Sequence, residues 1–135
     1  MATTEGNHTL AMNPFRPFTA LAALSGAAAL GVAVPALVQA QVPAAQVRAL
    51  NLARNTAVTQ NGGLVVYRPQ PCMFKTNTGG GPCLISNNAD GFTFRFLGGE
   101  PGWPENNGPA TTETELLIAP DGTAVKRVIY NGAPR

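Results

Sequence analysis

The strongest alternation of apolar and polar positions runs from Thr112 to Tyr130, TETELLIAPDGTAVKRVIY. In its first half Thr112, Thr114, Leu116 and Ile118 share one side of an extended chain, with Glu113, Glu115 and Leu117 on the other. Pro120-Asp121-Gly122 follows, and each residue has a reason to turn. Pro presets φ, Asp can hydrogen-bond the backbone two residues on, and Gly takes positive φ without steric cost. The pattern predicts a β-hairpin with one wet face, which needs further strands and a helix over its apolar side. In the second arm Val125 and Ile129 compete with Val128 and Tyr130 for that side, and Lys126-Arg127 marks the place for a bulge.

Upstream, Phe92, Phe94 and Phe96 alternate with Thr93 and Arg95, so three rings point one way. Asn87 to Gly91 supplies a turn back to Cys83-Leu84-Ile85, which predicts a second hairpin. Leu64 to Arg68 is strand-like and ends at Pro69 and Pro71. Pro43 to Gln60 is the one helical pattern. Pro43 suits a first turn and Asn61-Gly62-Gly63 a stop, with Val47, Leu50, Ala53, Ala57 and Val58 on a common face. Arg54 falls inside that face and Leu52 outside it. Arg54 either lays its stem over the sheet with its guanidinium at the rim or pairs with Glu113 or Glu115. Gly98 to Pro109 has almost no capacity for regular structure, and Asn131 to Arg135 is expected to fray. The order predicts an α+β domain: one N-terminal helix packed on a four- to five-stranded antiparallel sheet.

Before that domain the pattern changes. Phe15-Arg16-Pro17-Phe18 holds one basic residue, and Thr19 to Val34 carries no charge. Pro35 breaks the run, and Val38-Gln39-Ala40 places small residues at the −3 and −1 positions of a signal-peptidase site. Residues 1–40 are therefore expected to be a cleaved signal peptide, and Gln41 the first mature residue. Met12 also suits a start, since a short basic leader then follows directly. An uncleaved anchor is the alternative, but Ala and Gly insert weakly into a bilayer. No twin-Arg pair and no Cys at the cleavage point suggest another export route.

Removing forty of 135 residues leaves 95, enough for a single domain, 41–135, with a modest core. Setting Arg16 and Glu5 aside, eight basic residues face six acidic ones, scattered along the chain. That is no nucleic-acid footprint, which needs clustered cations. After signal cleavage nothing is left to hold a membrane.

Cys72 and Cys83, in CMFKTNTGGGPC, are both in the mature part. Two Cys in a small exported domain predict a disulfide, with Gly79-Gly80-Gly81 letting the sulfurs meet. Neither CxxC nor CxxCH spacing occurs. The sole histidine, His8, precedes the cleavage point, so the mature chain has no imidazole for a Ser-His-Asp or Cys-His nucleophile, for zinc or for haem. No metal site, cofactor or catalytic residue is predicted. Ser86-x-Asn88-x-Asp90-Gly91 echoes half of a calcium loop, but Leu97 stands where the closing Glu belongs, and turn chemistry explains it. The remaining acid–base candidates are Glu113 and Glu115 on one strand face, and Glu100 and Glu105 around Trp103. Glu on a wet strand face is ordinary solvation, and Glu in a Gly/Pro loop needs no altered pKa.

Trp103, the sole tryptophan, sits between Pro101 and Pro104. Held by prolines, it is either a low-entropy anchor for a partner or a plug for the end of the core. Arg68, Arg95, Glu100 and Glu105 are its candidate polar neighbours.

Helix-then-strands over Pro43–Tyr130 resembles the cystatin-like layout and the small PepSY-type domains of bacterial envelopes. The run Ala49 to Arg54, through Asn61-Gly62-Gly63-Leu64 to Tyr67-Arg68, is similar to small secreted cyanobacterial proteins. That likeness implies an envelope or thylakoid-lumen address and no known activity. The expectation is an exported, non-catalytic module, periplasmic or extracellular, that meets an envelope protein or glycan through the Trp103 loop. The alternatives are a small carbohydrate-active enzyme using paired Glu residues and a purely structural envelope component.

Overall fold

The computed structural model describes residue 31 and residues 35–135. The chain divides into two units, Met1–Ala36 and Leu37–Arg135, and every element described belongs to the second. The expected leader lies outside the described residues except for 31 and 35–40, and those are exposed and without regular structure. Among the described residues no helix is long and apolar enough to cross a membrane.

The three alternating phenylalanines set the architecture. Phe92, Phe94 and Phe96 lie on β3 (Gly91–Gly99), directly opposite Ile118, Leu116 and Thr114 of β4 (Thr112–Ile118). All six side chains are buried on one face of an antiparallel sheet, and α1 (Ala44–Gln60) covers that face. The helix contributes Ala49, Leu50, Ala53 and Ala57. Three alanines bring its backbone close to the sheet, and the phenyl rings fill the volume between. Leu52 and Val58 pack at the margin of this core, whereas Val47 stays half-buried. The architecture is α+β, one helix on a five-stranded antiparallel sheet.

β3 and β4 are the inner strands. β5 (Val125–Gly132) pairs with β4, while β1 (Arg68–Pro69) and β2 (Leu84–Asn88) share the other edge of β3. The β4–β5 turn docks on the helix. Gly122, at φ 75°, leaves no room for a side chain against the Ala45 carbonyl, and the Arg48 guanidinium donates to Asp121 O at 2.9 and 3.1 Å. At the other end Asn61, which caps α1, exchanges two amide hydrogen bonds with Asn131 of β5, at 3.1 and 3.2 Å. The helix is thus tied to both ends of the last hairpin.

The competing apolar positions of β5 are reconciled by two bulges. Tyr130 faces Glu115 while Val128 faces Leu116, which leaves Ile129 extra. Arg127 faces Leu117 while Val125 faces Ile118, which leaves Lys126 extra.

Three expectations are corrected. Leu64, Val65 and Val66 form no strand; they are an exposed turn in which Val66 and Tyr67 N–H both donate to Gly63 O. Their would-be partner has already turned away, since β3 ends at Gly99 opposite Arg68. The Gly98–Pro109 stretch departs from expectation at its start, where Gly98 and Gly99 extend β3; from Glu100 on it has no helix or strand and closes in turns through Trp103 N–H to Glu100 O, Asn106 N–H to Gly102 O and Gly108 N–H to Trp103 O. The final residues do not fray. β5 continues to Gly132, and Arg135 is held by Glu113 and Glu115.

Cys72 and Cys83 form the disulfide, with Cα atoms 6.0 Å apart. It joins the 3₁₀ turn Pro71–Phe74, just after β1, to the 3₁₀ turn Gly81–Cys83, just before β2. Both sulfurs are buried, and the bridge fixes the two short strands that share an edge of β3.

Candidate functional site

Two neighbouring glycines build the most structured surface. Side chains alternate along β3, so Gly98 opens toward the helix side and Gly99 toward the opposite side. The Tyr67 ring occupies the place a Gly98 side chain would need. The Trp103 ring occupies the place outside Gly99, where an added Cβ would lie 2.9 Å from its Cγ. The last turn of β3 is thereby clasped between two aromatic rings. Tyr67 is buried, which pushes its phenol up, and the neighbouring Thr114 hydroxyl offsets part of that rise. The buried Tyr67 hydroxyl makes no well-formed hydrogen bond among the described residues; Thr114 itself donates to Asn131 Oδ1 at 2.7 Å.

Trp103 is half-buried, and its indole N–H donates to Arg68 O at 2.9 Å. Its ring and its donor are both engaged within the domain. Trp103 therefore positions the loop on β1, while the loop's other side faces outward.

Between that loop and the Pro71–Phe74 turn lies a groove of about 430 Å³. Pro69, Pro71, Pro101 and Pro104 form its walls, with Phe74 along one side and Arg68 and Glu105 at the polar positions. Phe74 is 45% exposed, and the Arg54 guanidinium sits 5.2 Å from its ring centroid. Arg54 also donates to Met73 O at 3.4 Å. The choice left open for Arg54 resolves toward the Phe74 turn, away from Glu113 and Glu115. The groove's shape is fixed by ring-locked prolines, by the disulfide beneath Pro71–Phe74 and by the Trp103 hydrogen bond.

The five residues grouped around Trp103 in the sequence do not form one cluster. Arg68 and Glu105 line the groove. Glu100 lies with Trp103 in a smaller hollow, about 280 Å³, formed with Asn106 and Thr111. Arg95 belongs elsewhere, on the outer sheet face with Glu113, Glu115 and Arg135.

That second cluster is closed upon itself. The Arg135 guanidinium donates to Glu113 Oε1 and Glu115 Oε2, both at 2.8 Å, and its backbone N–H donates to Glu113 Oε2 at 3.0 Å. The guanidinium also covers the Tyr130 ring, 3.9 Å from its centroid. The Arg135 backbone N–H, its guanidinium and the nearby Arg95 charge hold the Glu113 carboxyl below the ordinary glutamate range. A general acid needs the opposite shift, so Glu113 is poorly suited to donate a proton near neutral pH. Glu100 and Glu105 line separate hollows and share no site.

Sequence reasoning did not find Phe74, the pairing of Pro69 and Pro71 with Pro101 and Pro104, or Arg135. An aromatic residue one position after Cys72-Met73 and a cluster of prolines on either side of the disulfide were the available signals. Nothing local marks Arg135. Asn88 spends its carboxamide within its own turn, accepting from Asp90 N–H at 2.9 Å and donating to Ser86 Oγ at 3.1 Å. Among the described residues no cluster of three potential metal ligands occurs.

No protein-family model, no curated protein and no solved structure matches the chain.

Proposed function

We propose that this protein is an exported binding module that captures a segment of an envelope protein in the groove between Pro71–Phe74 and the Trp103 loop. The observation that carries the reading is a preformed, proline-walled groove with an exposed phenyl ring and one charge of each sign. Proline walls offer no N–H donors, and Trp103 turns its ring onto Gly99, which leaves the Phe74 ring as the groove's aromatic face and the Arg68 guanidinium as its charged donor, fewer polar contacts than the hydroxyls of a glycan call for. An extended peptide with an apolar or aromatic residue, flanked by charges opposite to Arg68 and Glu105, fits better. Export is supported by the leader pattern and by the buried disulfide, which suits an oxidising compartment.

The test is capture from envelope extract by wild type and by two groove variants, Phe74→Ala and Arg68→Glu. Arg68 is exposed, so Arg68→Glu should leave melting nearly unchanged, whereas Phe74→Ala loses a ring that is 45% exposed and its capture is read well below its own melting midpoint. The expected result is one protein retained by wild type and lost with both variants, whose binding is then reproduced with purified components. Equal capture by all three chains overturns the reading. Release of sugar from envelope glycans, abolished by a Glu→Gln change, would instead establish the enzymatic alternative.

A further inference from the structure

Whatever cleavage after Ala40 would expose is visible at the start of the domain. Residues 35–41 are exposed and carry no regular structure, with Leu37 at 93% exposure. Val42 is the first side chain to pack: an added Cβ on the buried Gly79 would lie 2.8 Å from its Cγ1. The next tie is Gln46, whose amide donates to Gly79 O at 3.1 Å, and α1 starts at Ala44 behind Pro43. The domain thus needs nothing before Val42, and Gln41 is a one-residue arm ahead of it. Among the described residues the Gln41 side chain makes no hydrogen bond, so fold and packing leave it free to rotate.

We infer that the mature chain is modified at Gln41, where the new N-terminal glutamine closes to pyroglutamate. The inference rests on export with cleavage at Ala40–Gln41. Hydrolysis of that peptide bond by a signal peptidase gives Gln41 a free α-amine. The amine attacks the carbon of its own side-chain carboxamide, a carbon–nitrogen bond forms, and the carboxamide carbon–nitrogen bond breaks. The departing nitrogen leaves as ammonia with a proton from the amine. No oxidant, cofactor or second substrate enters the balance. The product is a five-membered lactam that has lost the terminal cation and closes the chain to aminopeptidases. Gln41 lines a hollow at this end of the helix with Val42, Val47, Thr76 and Asn77, and Gln39 and Ala40, which complete it, leave with the signal peptide.

The experiment is intact mass and N-terminal analysis of the full chain expressed in an exporting host, purified and incubated at neutral pH. The expected product starts at Gln41, keeps its disulfide, and is lighter than the plain chain by one ammonia, about 17 Da. Edman degradation should be blocked, and pyroglutamyl aminopeptidase should restore a sequence beginning at Val42. Gln41→Asn is one methylene too short for the lactam, so it should be processed at the same bond without the loss. A chain beginning at Gln41 that keeps its amine after incubation overturns the modification and leaves export standing. A chain with the leader attached, or cut elsewhere, overturns both.

Discussion

Trp103→Ala separates a supporting role for Trp103 from a contact role. The ring is half-buried on Gly99 and its N–H satisfies Arg68 O. Full truncation of a buried Trp costs about 3–5 kcal/mol, and half that burial scales to about 2 kcal/mol. For a domain near 100 residues each kcal/mol moves the melting temperature by about 4–8 °C, so Trp103→Ala should lower Tm by about 10 °C. Trp103→Phe keeps most of the ring and loses the donor, which should cost about 1 kcal/mol. Circular-dichroism melts measure both. Wild-type fluorescence adds a direct view, because Trp103 is the sole tryptophan and its emission should change in step with the global melt. An alanine variant within about 2 °C of wild type would refute the packing argument, since even half the stated loss exceeds that shift.

Four further outcomes follow from the same geometry. Gly122→Ala forces a side chain at φ 75° against the Ala45 carbonyl and 2.9 Å from Ala49 N, and should cost more than about 2 kcal/mol. Gly63→Ala, also at positive φ but with open space around it, should cost only about 1 kcal/mol in the same urea titrations. Replacing Cys72 and Cys83 together by Ala opens a ring spanning 11 positions and should lower stability by about 3 kcal/mol, read from the urea midpoint. The Glu113 carboxyl lies below its ordinary range, so the Arg135 contact stabilises above the unfolded value of about 4.3 and is lost as pH falls through the lower folded value. The Arg135 amide resonance should titrate below that ordinary value and stop titrating in Glu113→Gln.

What the sequence made legible was local. The helix from Ala44 to Gln60, its stop at Asn61-Gly62-Gly63 and the Pro120–Gly122 turn all follow from residues within a few positions of one another. The conflict in β5 between Val125 and Ile129 on one side and Val128 and Tyr130 on the other was visible too, and two bulges are its physical solution. What was illegible depended on partners far along the chain. Leu64-Val65-Val66 has strand propensity, but propensity cannot show that β3 stops at Gly99, opposite Arg68, before it could reach them. The candidate site suffers most from this limit. Trp103 reads as either an anchor or a plug until Gly99 is seen to sit beneath it, and Arg95 reads as its neighbour until strand register places Arg95 opposite Glu115. Phe74 gains meaning only once the disulfide and the Trp103 loop form the two banks of one groove.

The sheet edges decide between groove capture and the other common way of holding a peptide, strand addition. On the β3 side the sheet ends in two short strands, β1 of two residues and β2 of five, with a register shift in β2 between Leu84 and Ser86, and β3 itself is fully covered there. β1 covers Gly98–Gly99, β2 covers its first half, and Gln70 fills the gap by donating its backbone N–H to Leu97 O at 2.8 Å and accepting Leu97 N–H on Oε1 at 3.0 Å. The open edge of β5 carries bulges at Lys126 and Ile129, and Lys126 and Arg127 stand beside them. Bulges and cations break the flat ladder that an added strand requires, which is how natural edges resist pairing. A bound peptide should therefore leave the β content of the far-ultraviolet spectrum unchanged, shift Trp103 emission, and slow exchange at amides of Phe74 and the 100–106 loop. New protection running along β5, with no change at Trp103, would place the ligand on the edge and refute the groove.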